Sequence, residues 1–231
     1  MKEFIKKELD GWKKLEIAWV VIATIVMLGL SIYWKDTVIG IISALTGIWC
    51  VILTGKGKIS SYIFGMINTL LYAYIAYGAK YYGEVMLNLL YYVPTNVIGF
   101  VLWKKNMNQE NTEVVKKRMK VKTQLLVATG TAFGVFLYGL VLKKLGGQMP
   151  LVDSMSTVLS VVAQILCVKR YMEQWIIWIV VDVVTIIMWA VVFAQGGESI
   201  ATLVMWSVYL INAIIMFVKW FKETKKEVVH V

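Results

Sequence analysis

The sequence predicts an all-α integral membrane protein with eight transmembrane helices, and three observations support this: its hydropathy, its long apolar runs and the distribution of its cations. The 231 residues have a mean hydropathy of +0.71, and 16% of them are charged, against about 25% in soluble domains. A helix needs about 20 apolar residues to cross a bilayer, and such runs recur along the chain. The runs are continuously apolar and not alternating, which favours helices over strands.

Eight apolar runs are predicted to cross the membrane. They cover residues 17–34, 37–53, 59–77, 85–103, 123–142, 150–168, 175–194 and 199–220. The chain then divides into an N-terminal cytoplasmic segment with the first span (1–36), a first three-helix repeat (37–105), a basic cytoplasmic loop with a linker helix (106–150), a second three-helix repeat (151–220) and a cytoplasmic tail (221–231).

The lysines and arginines sort by loop. Of these 24 residues, 20 fall at the two ends and in alternate loops, if Lys219 at the edge of the last span is counted with the C-terminal end, and four fall in the opposite loops. Cytoplasmic loops carry the excess of cations, so both termini and the long central loop are predicted to be cytoplasmic. The same sorting argues against nucleic acid as a partner, although the net charge is +10. The protein is expected to be a multi-pass protein of the inner (plasma) membrane.

Two parts of the chain align when the sequence is shifted by 114 residues, which superposes spans 2–4 on spans 6–8. Asn68 then falls on Asp182, Tyr92 on Trp206, and Gly83-Glu84 on Gly197-Glu198. Both triplets enter the membrane from the same side, so one crossing helix must join them. The prediction is a 3+1+3 parallel-repeat core with one additional N-terminal helix. Such repeats are typical of transporters, with the substrate near the middle of the membrane.

Asp182 is the sharpest candidate for substrate binding, because a charge at membrane depth is costly and is usually functional. It shares one helical face with Trp175 and Trp178. A carboxylate beside indole faces suits a flat cationic ring. The alternative is that Asp182 bonds a neighbouring helix and the tryptophans fill the interface. Trp220, at the end of a span, is expected to lie in the interfacial aromatic belt.

A second polar stripe lies in the fourth span. Asn88, Tyr91, Tyr92 and Thr95 recur at helical spacing, with Asn96 adjacent. These side chains suit sugar hydroxyls or an amide, or they join helices to one another. Pro94 is expected to kink this helix. Weaker substrate-binding candidates are Asn68, Tyr209 and Asn212.

Two stretches, YYGEVMLNLLYYVPTNVIGFVLWKKN and RYMEQWIIWIVVDVVTIIMW, resemble the PnuC-type vitamin transporters, and the likeness covers nearly the whole chain. The resemblance implies a SWEET-like 3+1+3 fold with the substrate held between the halves. It also implies uptake of nicotinamide riboside by facilitated diffusion, trapping by a cytoplasmic kinase, and a homo-oligomer, namely a trimer. Trp175 and Trp178 match the aromatic pair that clasps the nicotinamide ring, and Asn88, Tyr91 and Tyr92 match further polar positions.

The sequence departs from the family pattern at Asp182, where many members have Asn, and at Asn96, where Gln is common. Thiamine is also a flat cation and remains an alternative substrate, as does a sugar carried in the SWEET manner. Uptake of a proton by Asp182 also remains open. An enzyme is not expected, because the chain has one histidine, His230, and neither H-E-x-x-H nor G-x-S-x-G. No cofactor and no metal is predicted.

Overall fold

The computed structural model describes residues 2–35, 37–78, 85–110, 112–146, 150–194 and 200–228. Gly83-Glu84, Gly197-Glu198 and His230 lie outside these ranges. The helices are α1 (Lys2–Leu9), α2 (Lys14–Tyr33), α3 (Val38–Lys56), α4 (Ser61–Gly78), a π-helix (Leu87–Tyr92) that continues as α5 (Val93–Lys104), α6 (Val121–Lys144), α7 (Pro150–Val168), α8 (Gln174–Ala194) and α9 (Ile200–Val228). In the described residues, β-pairing is confined to two isolated bridges, so the all-helical prediction is confirmed.

Five helical stretches among the described residues are long and apolar enough to cross a membrane: Lys14–Tyr33, Val38–Lys56, Val121–Lys144, Pro150–Val168 and Met205–Lys225. Two shorter apolar stretches are Ser61–Ile75 and Gln174–Ile187. The fourth predicted span is divided between the π-helix and α5. This division follows from Pro94, which has no N–H to donate within a regular α-helix.

The chain forms two compact units, Met1–Val115 and Lys116–Val231. In the first unit α3 packs on α2 and α4, and α4 packs on the π-helix and α5. In the second unit α7 packs on α6 and α8, and α8 packs on α9. From α2 to α5 in the first unit and from α6 to α9 in the second, consecutive helices in the chain are therefore neighbours in space.

The two units share a helix ending. Gly57 ends α3 with φ of 84°, and Arg170 follows α7 with φ of 67°. The next N–H donates back across the turn in each case, from Lys58 to Leu53 O (2.9 Å) and from Tyr171 to Leu166 O (2.9 Å). This is the Schellman arrangement, in which a left-handed residue closes a helix.

The central segment pairs with these turns. Val114 N–H donates to Gly57 O at 2.9 Å in the first unit, and Lys117 N–H donates to Arg170 O at 2.8 Å in the second. The basic segment predicted as a linker is therefore held by backbone hydrogen bonds. Lys116 within it is buried, forms an ion pair with Glu223 and lies 5.5 Å from the centre of the Trp220 ring.

An edge-to-face aromatic pair also recurs. Tyr62 meets Trp103 with ring centroids 5.0 Å apart, and Trp175 meets Trp220 at 5.9 Å. Gly57 and Arg170 are 113 residues apart, as are Tyr62 and Trp175, whereas Trp103 and Trp220 are 117 residues apart. At the helix ending and at the first ring of each pair, the structural offset therefore differs by one residue from the offset of 114 taken from the sequence, because similar side chains and not helix ends guided that alignment. With the offset of 113, Thr69 and not Asn68 corresponds to Asp182.

The N-terminal helix α1 is fastened to the turn after α3. Lys58 is fully buried, and its Nζ donates to the backbone oxygens of Lys7 (2.7 Å) and Asp10 (2.8 Å). Ser60 donates its hydroxyl to Glu8. Burial lowers the pKa of the Lys58 ammonium, partly offset by Glu8, and burial raises the pKa of the Glu8 carboxyl. Both groups lie outside the predicted spans.

Candidate functional site

Trp175 is positioned by the start of α8, five residues after the turn at Arg170. Its ring is 2% exposed and packs against Trp220, which is fully buried, with an interplanar angle of 76°. The belt position expected for Trp220 is therefore wrong, because this ring is enclosed by its own unit. No hydrogen-bond partner for the Trp175 indole N–H occurs among the described residues.

Asp182 lies two turns along the same face of α8, and its side chain is 3% exposed. Within the part of the chain that the structure describes, its carboxylate has neither a hydrogen bond nor an ion pair. Among the described residues, Asp182 therefore has no hydrogen bond to a neighbouring helix, which is the alternative considered above. A charged carboxylate at the centre of a membrane helix costs about 3 kcal/mol, so a buried one without a counter-charge is suited to a cationic ligand.

Trp178 and Thr185 complete this face. Trp178, between Trp175 and Asp182, is half-buried, which leaves part of its ring accessible. Thr185 is 3% exposed, and its hydroxyl has no partner among the described residues. Thr185 is missing from the site predicted by sequence because a threonine in an apolar run is usually packing. Its spacing of three from Asp182 is the signal that places it on the same face.

The neighbouring helix α9 carries Tyr209 and Asn212. Asn212 is fully buried, and Tyr209 is half-buried with its ring edge-on to Trp206 at 5.6 Å. Because α8 and α9 pack together, the second unit contains all five of its predicted site residues on two adjoining helices.

In the first unit the π-helix alters the predicted polar stripe. Val93 N–H donates to Asn88 O, five residues back. A π-turn takes more residues than an α-turn, so Asn88 and Asn96, eight apart, come onto one side. Both are buried, at 5% and 6% exposure, whereas Tyr91, Tyr92 and Thr95 are half-buried. The sequence-based prediction assumed a regular α-helix, in which Asn88 shares a face with Tyr91, Tyr92 and Thr95.

Several of these polar groups also join helices. Asn96 Nδ2 donates to Thr69 Oγ1 at 3.2 Å, linking α5 to α4. Asn68 Nδ2 donates to Ser43 O at 2.8 Å, linking α4 to α3. The Thr95 hydroxyl donates to the backbone oxygen of Tyr91 at 2.9 Å. The amide of Asn96, within the stripe, and the amide of Asn68, outside it, thus both join neighbouring helices.

These features define the class of protein. Helices of membrane length and apolar composition carry a few buried polar side chains in each unit. The arrangement is that of a helical membrane transporter.

The sequence model of the nicotinamide mononucleotide transporter family matches residues 37–222, and the chain belongs to this family. The nicotinamide riboside transporter PnuC of Neisseria mucosa is 40% identical over 96% of this chain and 86% of its own length. That of Haemophilus influenzae is 35% identical over 96% of both chains. The crystal structure of the vitamin B3 transporter PnuC superposes with a TM-score of 0.83 and 40% identity, covering 97% of this chain and 98% of that one. These relatives are named as transporters and not as enzymes, so the sequence-based identification of the family is confirmed.

Proposed function

We propose that this chain carries nicotinamide riboside into the cell by facilitated diffusion, and that a cytoplasmic kinase traps the product. The observation that carries the proposal is the buried carboxylate of Asp182, which has no hydrogen bond or ion pair among the described residues and shares one helical face with Trp175 and Trp178. Nicotinamide riboside has a flat ring with a fixed positive charge, which attracts both indole faces and a carboxylate. The names of the relatives support the same substrate.

The riboside suits the second unit better than the mononucleotide does. No lysine or arginine occurs between residues 171 and 218, which include all of α8 and most of α9. A phosphate placed there would lack a cation and would be repelled by Asp182, because buried charges need partners. The substrate-binding residues proposed in the second unit are Trp175, Trp178, Asp182, Thr185, Tyr209 and Asn212. Those proposed in the first unit, taken by itself, are Asn68, Asn88, Tyr91, Tyr92, Thr95 and Asn96.

Facilitated diffusion is favoured because Asp182 is the only acidic residue in the last two predicted spans. Proton relays in pumps use chains of ionisable groups, and a single carboxylate does not provide one. Passive carriage only equalises concentrations, so accumulation requires consumption of the product inside, which is the role given to the kinase. Uptake that follows an imposed pH gradient would contradict this part of the proposal.

The proposed architecture has eight spans, a SWEET-like 3+1+3 core after one extra helix, and both ends in the cytoplasm. The recurring helix ending and the recurring aromatic pair support an internal repeat, and the sorting of cations supports the orientation. A homotrimer is proposed from the family likeness, and light scattering of the purified protein measures it.

The test is ligand binding by quenching of tryptophan fluorescence, with nicotinamide riboside, nicotinamide mononucleotide, thiamine and glucose on the same protein. The riboside is expected to bind most tightly. Thiamine tests whether any flat cation suffices, and glucose tests the sugar-carrier alternative. Binding of glucose with no response to either cation would overturn the proposed function.

A further inference from the structure

We propose that an open groove in the second unit binds an anionic diacyl phospholipid, namely phosphatidylglycerol. The groove lies among α6, α7 and α8 and has a volume of about 510 Å³. Its walls are mostly aliphatic, including Val127, Ala132 and Leu159. The proposal rests on the membrane placement of the proposed function but not on its substrate.

The length of the groove fits one lipid leaflet. On α6 the lining runs from Gln124 to Val135, eleven residues or about 16 Å at the rise of an α-helix. One leaflet is half of a hydrocarbon core of about 30 Å. A groove of this length along α6 matches an acyl chain that lies parallel to the helices.

The charges at one end of the groove fit a phosphate. Met119 lines the groove, and the flanking Lys117, Lys120 and Lys122 are exposed. Basic residues beside a membrane helix attract anionic headgroups, each with about 1 kcal/mol. Lys116 is not part of this set, because it is buried and forms an ion pair with Glu223.

Glu173 provides an independent indication of a headgroup. It lines the groove and is 5% exposed. Its Oε1 accepts hydrogen bonds from Met119 N–H at 3.0 Å and from Gln124 Nε2 at 2.8 Å. Its buried Oε2 has no partner among the described residues. A headgroup that offers a hydroxyl, as the glycerol of phosphatidylglycerol does, supplies the missing donor while its phosphate meets the lysines.

The groove is separate from the candidate substrate face. Ile176, Ile177 and Val180 of α8 line it, whereas Trp178 and Asp182 lie on the other side of the same helix by their spacing. A change in the groove should therefore leave substrate binding intact.

The experiment measures phospholipid bound to the full-length protein by native mass spectrometry after exchange into lipid-free detergent, with phosphatidylglycerol or phosphatidylcholine added back. Ala132→Trp fills the groove at an exposed position of α6. Leu126→Trp is the matched control, since Leu126 is 73% exposed and does not line the groove. Lys120→Gln with Lys122→Gln tests the headgroup contacts.

The unmodified protein and Leu126→Trp are expected to keep one phosphatidylglycerol, and Ala132→Trp is expected to bind it at least about tenfold more weakly. The double lysine variant is expected to lose at least about fivefold of the preference for phosphatidylglycerol over phosphatidylcholine. Nicotinamide riboside binding, measured on the same samples, should be unchanged in Ala132→Trp. A protein that bound lipid but no riboside would contradict the proposed function and not the groove.

Equal lipid retention by Ala132→Trp and the unmodified protein would overturn the proposal. Equal affinity for the two lipids in the unmodified protein would also do so. Dissociation of an oligomer by Ala132→Trp, with the lipid count unchanged, would show that a second copy of the chain covers the groove instead.

Discussion

The indole of Trp175 stands nearly perpendicular to that of Trp220, with centroids 5.9 Å apart. Trp220 is fully enclosed, and the Lys116 ammonium lies over it. Trp175 is thus fixed by packing at the base of the face that carries Asp182. Trp178, one turn further along α8, is half-buried and has ring surface left for a ligand. Trp178 and the enclosed Trp220 are therefore expected to respond differently to mutation.

Replacing Trp178 with Leu should weaken nicotinamide riboside binding by about tenfold, since a cation–π contact is worth about 0.5–1 kcal/mol when exposed and about 2 kcal/mol or more when desolvated, and Trp178 is half-buried. Replacing Trp220 with Leu should instead lower stability by about 3 kcal/mol, because a buried ring is lost. Fluorescence titration and thermal unfolding of both variants measure the two effects. Equal losses of stability would place Trp178 in the packing and not in the site. Trp34→Leu, at an exposed ring, is the control.

Asp182→Asn should raise the melting temperature of the ligand-free protein and weaken riboside binding. The substitution removes an uncompensated charge, which costs about 3 kcal/mol at membrane depth, while the ligand loses its counter-ion. Asp153→Asn makes the same change at an exposed position of α7 and should alter neither property. A lower melting temperature with unchanged affinity in Asp182→Asn would mean that the carboxylate is structural.

Thr69→Val should lower stability by about 1 kcal/mol, since membrane hydrogen bonds between helices average about 0.6 and reach about 1.7 kcal/mol. The bond concerned joins Asn96 Nδ2 to Thr69 Oγ1. A double-mutant cycle with Asn96→Ala, followed by thermal unfolding, gives the coupling energy. Additive effects would show that the two side chains do not interact. Riboside affinity measured in parallel shows whether Asn96 also contacts the ligand.

Gly99→Ala should destabilise the first unit by about 1–3 kcal/mol through overpacking. A Cβ at this position would lie 2.2 Å from Tyr62 Cε1, and the Tyr62 ring is itself held against Trp103. Gly29→Ala is the matched control, because nothing lies within 4 Å of its added carbon. Thermal unfolding compares them. An unchanged melting temperature for Gly99→Ala would contradict the close approach of α4 and α5.

The docking of α1 should depend on pH through Lys58 and Glu8. Burial lowers the pKa of Lys58 below 10.5. Between the lowered pKa and 10.5, the protein with α1 released therefore binds more protons than the protein with α1 docked. Docking should strengthen as the pH rises through this range. The pKa of Glu8 is raised above 4.5 by burial, so its contribution is full in acid and is lost as the pH rises through the raised value. Hydrogen exchange of residues 2–13, corrected for intrinsic rates, measures docking.

Two variants separate the groups. Glu8→Gln should remove the dependence in acid and keep the one in base. Lys58→Met keeps the apolar stem but no donor, so it should release α1 at every pH. Unchanged protection of residues 2–13 in Lys58→Met would show that the two hydrogen bonds do not hold the segment.

Long apolar runs are enough to predict the helices, because a membrane requires each segment to satisfy its own backbone. The face of Trp175, Trp178 and Asp182 follows from helical spacing alone. The π-helix does not, since a proline indicates an interruption but not how neighbouring carbonyls are rearranged around it. The placement of Asn88 and Asn96 on one side of the helix depends on the π-helix, so the sequence does not predict it either.

The burial of three lysines and of Trp220 also cannot be predicted from the sequence. Lysines in loops indicate orientation, yet Lys56, Lys58 and Lys116 are buried because acids and carbonyls distant in the chain surround them. A tryptophan at a helix end resembles an interfacial anchor whether or not its own unit covers it. Such outcomes depend on tertiary contacts, which residue type and spacing do not specify.

Arg170 occupies the left-handed turn that glycine occupies in the first unit. A side chain in that conformation carries about 1 kcal/mol of strain that glycine avoids. One copy of the motif therefore closes by backbone freedom alone. The turn at Arg170 depends on the interactions of its buried guanidinium. Conditions that weaken the interactions of a charged group should therefore open the turn at Arg170 before the turn at Gly57.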